Sequence, residues 1–310
     1  MINNLAKDRK KILITGGSGF IAQNILEILR EEQYPAIIYN LGRTAIQGNN
    51  VVNIPCEAAT FDFNTIVEQF DYIIHTLALS NESYCKDFSY AETINIDFTR
   101  RLLSFAAAQH HLKKFIYIST IILYANSNPT PVTEDGKLYL HHSTYGFTKG
   151  IAEYYVDHYR EKFGLPAVIF RLSNIYGPYQ KYTNSPFLVP GKIVQALTEG
   201  KIEVFNLSPR RDWIYSSDAA RAMVQALDAS ATGIFNLGSG EGISVKELIT
   251  EIANELHVPF TSLDKPTSGP TDFYCDISKT KEAFSWEPTT SLHDGIKYTV
   301  DYIKNNIARS

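Results

Sequence analysis

Lys11-Ile12-Leu13-Ile14-Thr15-Gly16-Gly17-Ser18-Gly19-Phe20-Ile21-Ala22 runs from an apolar β-type segment straight into a glycine cluster, and a helical pattern follows over 23–31. Strand, glycine turn and helix in immediate succession are the context that a dinucleotide-binding fingerprint requires. Gly16 permits the tight turn, and Gly19 lets the backbone approach a pyrophosphate at the helix N-terminus. Phe20 and Ile21 open that helix and join the cofactor-binding candidates. Ala22 fills the third small position, where helix and sheet pack closely.

Working outward, Ala36-Ile37-Ile38-Tyr39 reads as a second strand ending at Asn40, 24 residues after Gly16. A carboxylate usually holds the ribose 2′-hydroxyl of NAD near this point. An uncharged Asn40 with Arg43 close behind favours a 2′-phosphate, which Asn donates to and Arg pairs with bidentately. The expected cofactor is therefore NADP(H), with NAD(H) as the alternative. Asp62 is a candidate for the adenine amino group. Asp71-Tyr72-Ile73-Ile74-His75-Thr76-Leu77-Ala78 reads as a buried parallel strand whose exit, at Leu77 and Ala78, skirts the cofactor. Asn95 lies inside a helix expected over 95–108, where Asn is mildly unfavourable, so a polar task beside the active site is expected of it. The strand at 113–119 delivers Thr120 to the carboxyl edge of the sheet, where open α/β sheets bind ligands.

Tyr145 follows 25 residues later, and Lys149 lies four residues beyond it. On a helix that spacing sets both side chains on one face, one turn apart. A free tyrosine titrates near 10, and lowering it to neutrality takes about 4 kcal/mol at ~1.36 kcal/mol per unit. A lysine ammonium and a nicotinamide cation both favour the phenolate. With Thr120, the pair forms a candidate catalytic trio, because hydride transfer at a carbon needs a proton transfer at its oxygen.

Composition narrows the setting. The chain has 310 residues and a formal net charge of −4, which suits one large α/β domain or two unequal lobes. That charge leaves no electrostatic footprint for nucleic acid. Cys56, Cys85 and Cys275 are scattered without metal spacing, which reads as reduced thiols and no metal site. The first ten residues lack the apolar core of a secretory signal, and no apolar run approaches the ~18 residues of a membrane span. A cytoplasmic protein is expected.

Further segments complete a pattern: Ile74-His-Thr-Leu-Ala, Ser119-Thr120 with Tyr124, Tyr145-x-x-x-Lys149, Arg171-x-x-Asn174-x-Tyr-Gly-Pro178, Arg211-Asp212-Trp213-Ile214 with Asp218, and Phe235-Asn-Leu-Gly-Ser-Gly240. In this order and spacing the chain resembles the extended short-chain dehydrogenase/reductases, in the nucleotide-sugar epimerase/dehydratase/reductase group. The resemblance implies a Rossmann-type, doubly wound parallel α/β sheet over 1–172, with 212–237 returning to it. It implies a smaller mixed α/β substrate lobe over 173–310. It makes Tyr145 the acid/base at the sugar oxygen, Lys149 the group that lowers its pKa and holds the nicotinamide ribose, and Thr120 a second hydrogen-bonding partner of the same oxygen. Asn174 and Arg211 match the residues at the nucleotide diphosphate, and Tyr84 is a pocket-lining candidate. The family's second diphosphate arginine is missing from 265–270, where Lys265 is the nearest cation. A homodimer built on helices 95–109 and 145–162 is also implied, with Tyr154, Tyr155 and Tyr159 facing a partner or the core.

Three functions follow as expectations. The family's 4,6-dehydratases carry an Asp-Glu pair directly after the threonine, whereas Ile121 and Ile122 stand here, so dehydration is not expected as the main activity. Reduction of a 4-keto nucleotide sugar by NADPH is favoured by Asn40 and Arg43. A 4-epimerase with bound NAD⁺ is the alternative, and a non-catalytic dinucleotide sensor the remote one.

Overall fold

The computed structural model describes residues 9–266 and 271–308; the signal-sequence reading of residues 1–8 and the 267–270 part of the diphosphate loop lie outside the described residues. The described residues form two compact units, one within 1–124, 138–171 and 223–235, the other within 125–137, 172–222 and 236–310.

The first unit is built on β1 (Lys10–Thr15), α1 (Phe20–Glu31), β2 (Ala36–Gly42), β3 (Val51–Pro55), β4 (Tyr72–His75), α2 (Phe88–Glu92), α3 (Phe98–Ala107), β5 (Lys114–Thr120), α4 (Thr144–Phe163) and β6 (Ala167–Leu172). The second unit carries β7 (Asn174–Tyr176), α5 (Leu188–Glu199), β8 (Ile202–Val204), β9 (Arg210–Arg211), β10 (Trp213–Tyr215), the start of α6 (Ser216–Asp228), the end of β11 (Gly233–Leu237), β12 (Ile243–Ser244), α7 (Val245–Leu256), β13 (Phe260–Ser262), β14 (Asp272–Phe273), α8 (Ser278–Phe284) and α9 (Leu292–Ile307).

The main sheet is seven-stranded and parallel, in the order β11-β6-β5-β4-β1-β2-β3. Strand order therefore reverses between β1 and β4, where Leu13 pairs with Ile73 on one side and Tyr39 on the other. Such a reversal opens a crevice at the carboxyl ends of the two strands. The expected doubly wound fold is the one observed. β4, β5 and β6 are buried along their whole length, which explains their near-continuous apolar sequences. Leu13, Ile73, Phe115 and Ile169 from the sheet meet Phe98, Leu102 and Val156 from α3 and α4 in this unit's core. At ~25 cal/mol per Å² of apolar surface, burying each such side chain contributes about 1.5–3 kcal/mol.

Two features depart from the sequence reading. β3 is an added edge strand, pairing Asn53 with Asn40. The helix expected over 95–108 is interrupted by a π-helical turn at Thr93–Asp97, with Asn95 at its centre. Such turns insert one residue into the helical ladder and often mark functional positions.

The second unit has its own core, in which Ile193, Ile202, Leu248, Ile249, Val300 and Ile303 pack together. Among the described residues no helix is long and apolar enough to cross a membrane.

Candidate active site

The glycine turn folds as its sequence requires. Gly16 has φ +71°, and a Cβ there would lie 3.1 Å from the Leu77 Cα, so a side chain would be strained and crowded. Gly19 starts α1 with no side chain capping it. The first-turn amides of Phe20, Ile21 and Ala22 thus form an uncapped helix N-terminus, suited to an anion. This cradle fits a dinucleotide pyrophosphate.

Asn40 does not take the part expected of it. It is buried, and its Oδ1 accepts from the Gly17 amide at 3.0 Å. Its Nδ2 donates to the Thr44 carbonyl at 3.0 Å and to Asn53 Oδ1 at 2.8 Å. Both N–H groups are committed, so the side chain has no donor left for a 2′-phosphate. Asn40 braces the glycine turn against the β2–β3 connection. Arg43 is exposed. Asp62 is exposed too, its Oδ1 accepting from the Asn64 amide and side chain at 3.0 and 2.9 Å.

The exit of β4 is held from behind. Thr76 Oγ1 donates to the Thr15 carbonyl, and the Leu77 amide to Thr15 Oγ1. Asn95 spends its side chain within the protein: Oδ1 accepts from the Leu79 amide, while Nδ2 donates to the Leu79 carbonyl and to Thr148 Oγ1 on α4. Half-buried Leu77 and Ala78 are thereby fixed beside Gly16. Tyr84 stands in the exposed turn after β4, and its amide donates to Asn81 Oδ1.

Ser143 caps α4, accepting from the Gly146 amide, and the Tyr145 amide donates to Glu82 Oε2 at 2.9 Å. The Thr120 hydroxyl, which accepts from the Ile122 amide, pulls the Tyr145 phenol down toward the phenolate. Burial nevertheless pushes Tyr145 up to about 12. Lys149 does not counter it: its Nζ donates to the Ile118 carbonyl at 2.6 Å and sits 4.1 Å from the centre of the Tyr117 ring. Burial pulls the Lys149 ammonium down to about 7, opposed by the Glu153 carboxylate. Tyrosine and lysine share a helix face as expected, but the anticipated lowering of the tyrosine by the lysine is not what the geometry gives. A large further shift therefore falls to a cation placed against the phenol.

Glu153 escaped the sequence reading. Buried one turn beyond Lys149, it pairs with Arg171 on β6 at 2.7 Å and accepts from the Ser119 hydroxyl beside Thr120. Arg171 also donates to the Tyr124 hydroxyl at 2.9 Å. The signal was present as a continuation of Tyr145 and Lys149 at the next four-residue step. Its partner, 18 residues away on a strand, is a tertiary fact.

In the second unit, β10 pairs Trp213 with Asn174 of β7, and Asn174 Nδ2 donates to the Asp212 carbonyl at 2.9 Å. The buried Asp212 carboxylate accepts from Ser173, from the amide and hydroxyl of Ser239, and from the Cys275 amide. Arg211 is half-buried, with Nη1 donating to the Arg210 carbonyl, and desolvation lowers its pKa. Lys265 is exposed, its Nζ 5.5 Å from the centre of the Phe205 ring. Cys56, Cys85 and Cys275 are buried, and among the described residues no cluster of metal-ligating side chains occurs.

A glycine-turn dinucleotide cradle at the sheet's reversal point, with a Tyr-Lys helix beside it, defines a nucleotide-cofactor enzyme of the short-chain type. Residues 12–238 match the model of the NAD dependent epimerase/dehydratase family, and the chain belongs to that family. It is 30% identical to a putative UDP-glucose 4-epimerase of Methanocaldococcus jannaschii, over 95% of this chain and 99% of that one. It is also 30% identical to a UDP-N-acetyl-alpha-D-glucosaminuronate decarboxylase of Bacillus cytotoxicus, over 96% and 98% respectively. Among solved structures, UDP-glucuronic acid 4-epimerase from Bacillus cereus in complex with UDP-glucuronic acid and NAD superposes with a TM-score of 0.85. That likeness is 27% identical and covers 96% of this chain and 99% of that one.

Proposed function

We propose that the chain is an NAD-dependent 4-epimerase of a nucleoside-diphosphate sugar. The observation that carries this reading over NADPH-dependent reduction is the commitment of both Asn40 N–H groups to Thr44 and Asn53, which leaves exposed Arg43 alone of the two residues on which a 2′-phosphate was expected. The similarity to a putative UDP-glucose 4-epimerase and to an NAD-bound UDP-glucuronic acid 4-epimerase supports it.

The first-turn amides of Phe20, Ile21 and Ala22 would hold the pyrophosphate, with Gly16 and Gly19, whose own amides donate to the Leu41 and Gly16 carbonyls, shaping the turn that lets it approach. Leu77 and Ala78 would stand at the nicotinamide half, and Asp62 would be the candidate for the adenine. Asn95 acts indirectly, by fixing the Leu79 backbone. When bound, NAD⁺ supplies a reversible hydride acceptor and a positive charge. Tyr145 takes the proton from the sugar 4-hydroxyl and later returns one to the same oxygen. Thr120, whose hydroxyl favours the Tyr145 phenolate, is the second hydrogen-bonding partner of that oxygen. Lys149, held by the Ile118 carbonyl, contributes its charge and a contact to the nicotinamide ribose. Asn174 and Arg211 of the second unit are the candidates for the nucleotide diphosphate, with Lys265 and Tyr84 as secondary ones. Buried Ile121 and half-exposed Ile122 offer neither acid nor base for elimination, which supports excluding 4,6-dehydration.

A homodimer through α3 and α4 belongs to the same reading. Tyr154 and Phe163 on α4 are 73% and 62% exposed, whereas Tyr155 and Tyr159 pack against the core. The test is incubation of purified protein with UDP-hexoses, UDP-hexuronic acids and their N-acetyl counterparts, with interconversion at C4 followed by proton NMR. Interconversion without consumption of added cofactor supports the proposal. Oxidation of added NADPH in step with loss of a 4-keto sugar refutes it.

A further inference from the structure

His75 is a fully buried titratable side chain that the reaction does not use. It sits at the end of β4 with Nδ1 2.7 Å from Thr15 Oγ1 and Nε2 2.8 Å from Thr99 Oγ1. The protons on this path are fixed by their neighbours. Thr99 Oγ1 already donates to the Asn95 carbonyl at 2.7 Å, so toward His75 it only accepts, and Nε2 carries the hydrogen. At the other end, Thr15 Oγ1 accepts from the Leu77 amide at 3.1 Å and gives its own proton to Nδ1. Donors and acceptors match along the whole path with none left over. Burial, with the Lys149 ammonium adding to it, pulls His75 down to about 3, which keeps the ring neutral.

The two ends of this path reach the two halves of the site. Leu77 lies against Gly16, where a Cβ would find its backbone at 3.1 Å. Asn95, whose carbonyl ends the path, also holds Leu79 and donates to Thr148 Oγ1, which in turn donates to the Tyr145 carbonyl at 3.1 Å. Thr15, His75, Asn95, Thr99 and Thr148 are all buried, so none of these bonds exchanges freely with water.

We propose that His75, locked as the Nε2–H tautomer, is a positioning residue that ties the dinucleotide turn at Gly16 and Leu77 to the helix carrying Tyr145. The tie makes cofactor affinity and placement of the catalytic tyrosine depend on one buried hydrogen-bond path. It rests on the dinucleotide reading of the glycine turn. A side chain that only filled space here would be replaceable by any ring of its size. A tie of fixed proton direction is not.

The experiment has two parts. Nitrogen NMR of histidine-labelled protein reads the tautomer directly, with His75→Gln identifying the signal. The expected result is an Nε2–H ring that does not titrate between about pH 5 and 8. An Nδ1–H ring, or a titration in that range, overturns the proposal. Calorimetry and turnover then compare His75→Phe, which keeps the ring and removes both bonds, with His75→Gln, which keeps a donor toward Thr99. His75→Phe is expected to weaken NAD⁺ binding about tenfold and to lower turnover by roughly tenfold to a hundredfold. His75→Gln is expected to recover most of both. Changes within about twofold for His75→Phe, or no recovery in His75→Gln, overturn the tie. A wild-type chain that binds no dinucleotide sinks the proposed function and the cofactor end of the tie, while the nitrogen spectrum still decides the tautomer.

Discussion

Lys149→Met tests how much strain the site stores. The ammonium is displaced from 10.5 to about 7 by burial. At ~1.36 kcal/mol per unit, holding it charged costs the folded chain roughly 5 kcal/mol. Against this stand its bond to the Ile118 carbonyl, about 1 kcal/mol, and its contact with the Tyr117 face, about 1–2 kcal/mol. Methionine keeps the stem and removes the charge, so the net expectation is a gain of about 2–3 kcal/mol at pH 7. The sign in pH follows from proton binding. Below about pH 7 folded and unfolded chains both hold the proton, and the wild type bears the whole penalty. From about 7 to 10.5 the folded chain releases it first, so wild-type stability rises with pH and the variant's advantage shrinks. At roughly 2–4 °C per kcal/mol, calorimetry of cofactor-stripped protein should show Lys149→Met melting several degrees higher at pH 7 and level near pH 10, with turnover lost. A variant that melts lower at pH 7, or a difference that ignores pH, refutes the reasoning.

Other outcomes follow from the same geometry. Tyr145→Phe should cut turnover by about 10²–10⁴-fold while leaving NAD⁺ affinity unchanged in calorimetry. The Tyr145 phenol, near 12 by burial, should titrate lower once NAD⁺ is bound, measured as the ultraviolet difference between wild type and Tyr145→Phe. Glu153→Gln leaves Arg171 buried without its carboxylate and should cost about 3–5 kcal/mol in urea unfolding. Asn40→Asp loses both donors and sets two oxygens 2.8 Å apart at Asn53, costing about 1–3 kcal/mol without improving NADP⁺ affinity. Arg43→Ala should leave the preference between NAD⁺ and NADP⁺ within about twofold by titration.

The parts of this molecule that local rules govern were legible in the sequence. An apolar run followed by Gly16 and Gly19 foretold a tight turn between strand and helix, and Gly16 takes the positive φ that such a turn requires. The four-residue spacing of Tyr145 and Lys149 placed them on one helix face. It did not reveal that Lys149 turns away to the Ile118 carbonyl, because spacing fixes direction and not partner. Asn40 failed for a related reason. An amide serves a phosphate or a backbone equally well, and only the register that sets Asn53 beside it decides which. Val51–Pro55 escaped notice as an edge strand because it is short, ends in proline and buries no residue fully. The Glu153–Arg171 pair joins a helix to a strand, a juxtaposition that exists only after folding.

The central claim is best tested by identifying the nucleotide that accompanies the purified protein and asking whether it suffices for turnover. NAD⁺ that resists dialysis, with C4 interconversion of a UDP-sugar and no added cofactor, is the result expected. Exchangeable NADPH consumed in proportion to a 4-keto sugar would contradict it.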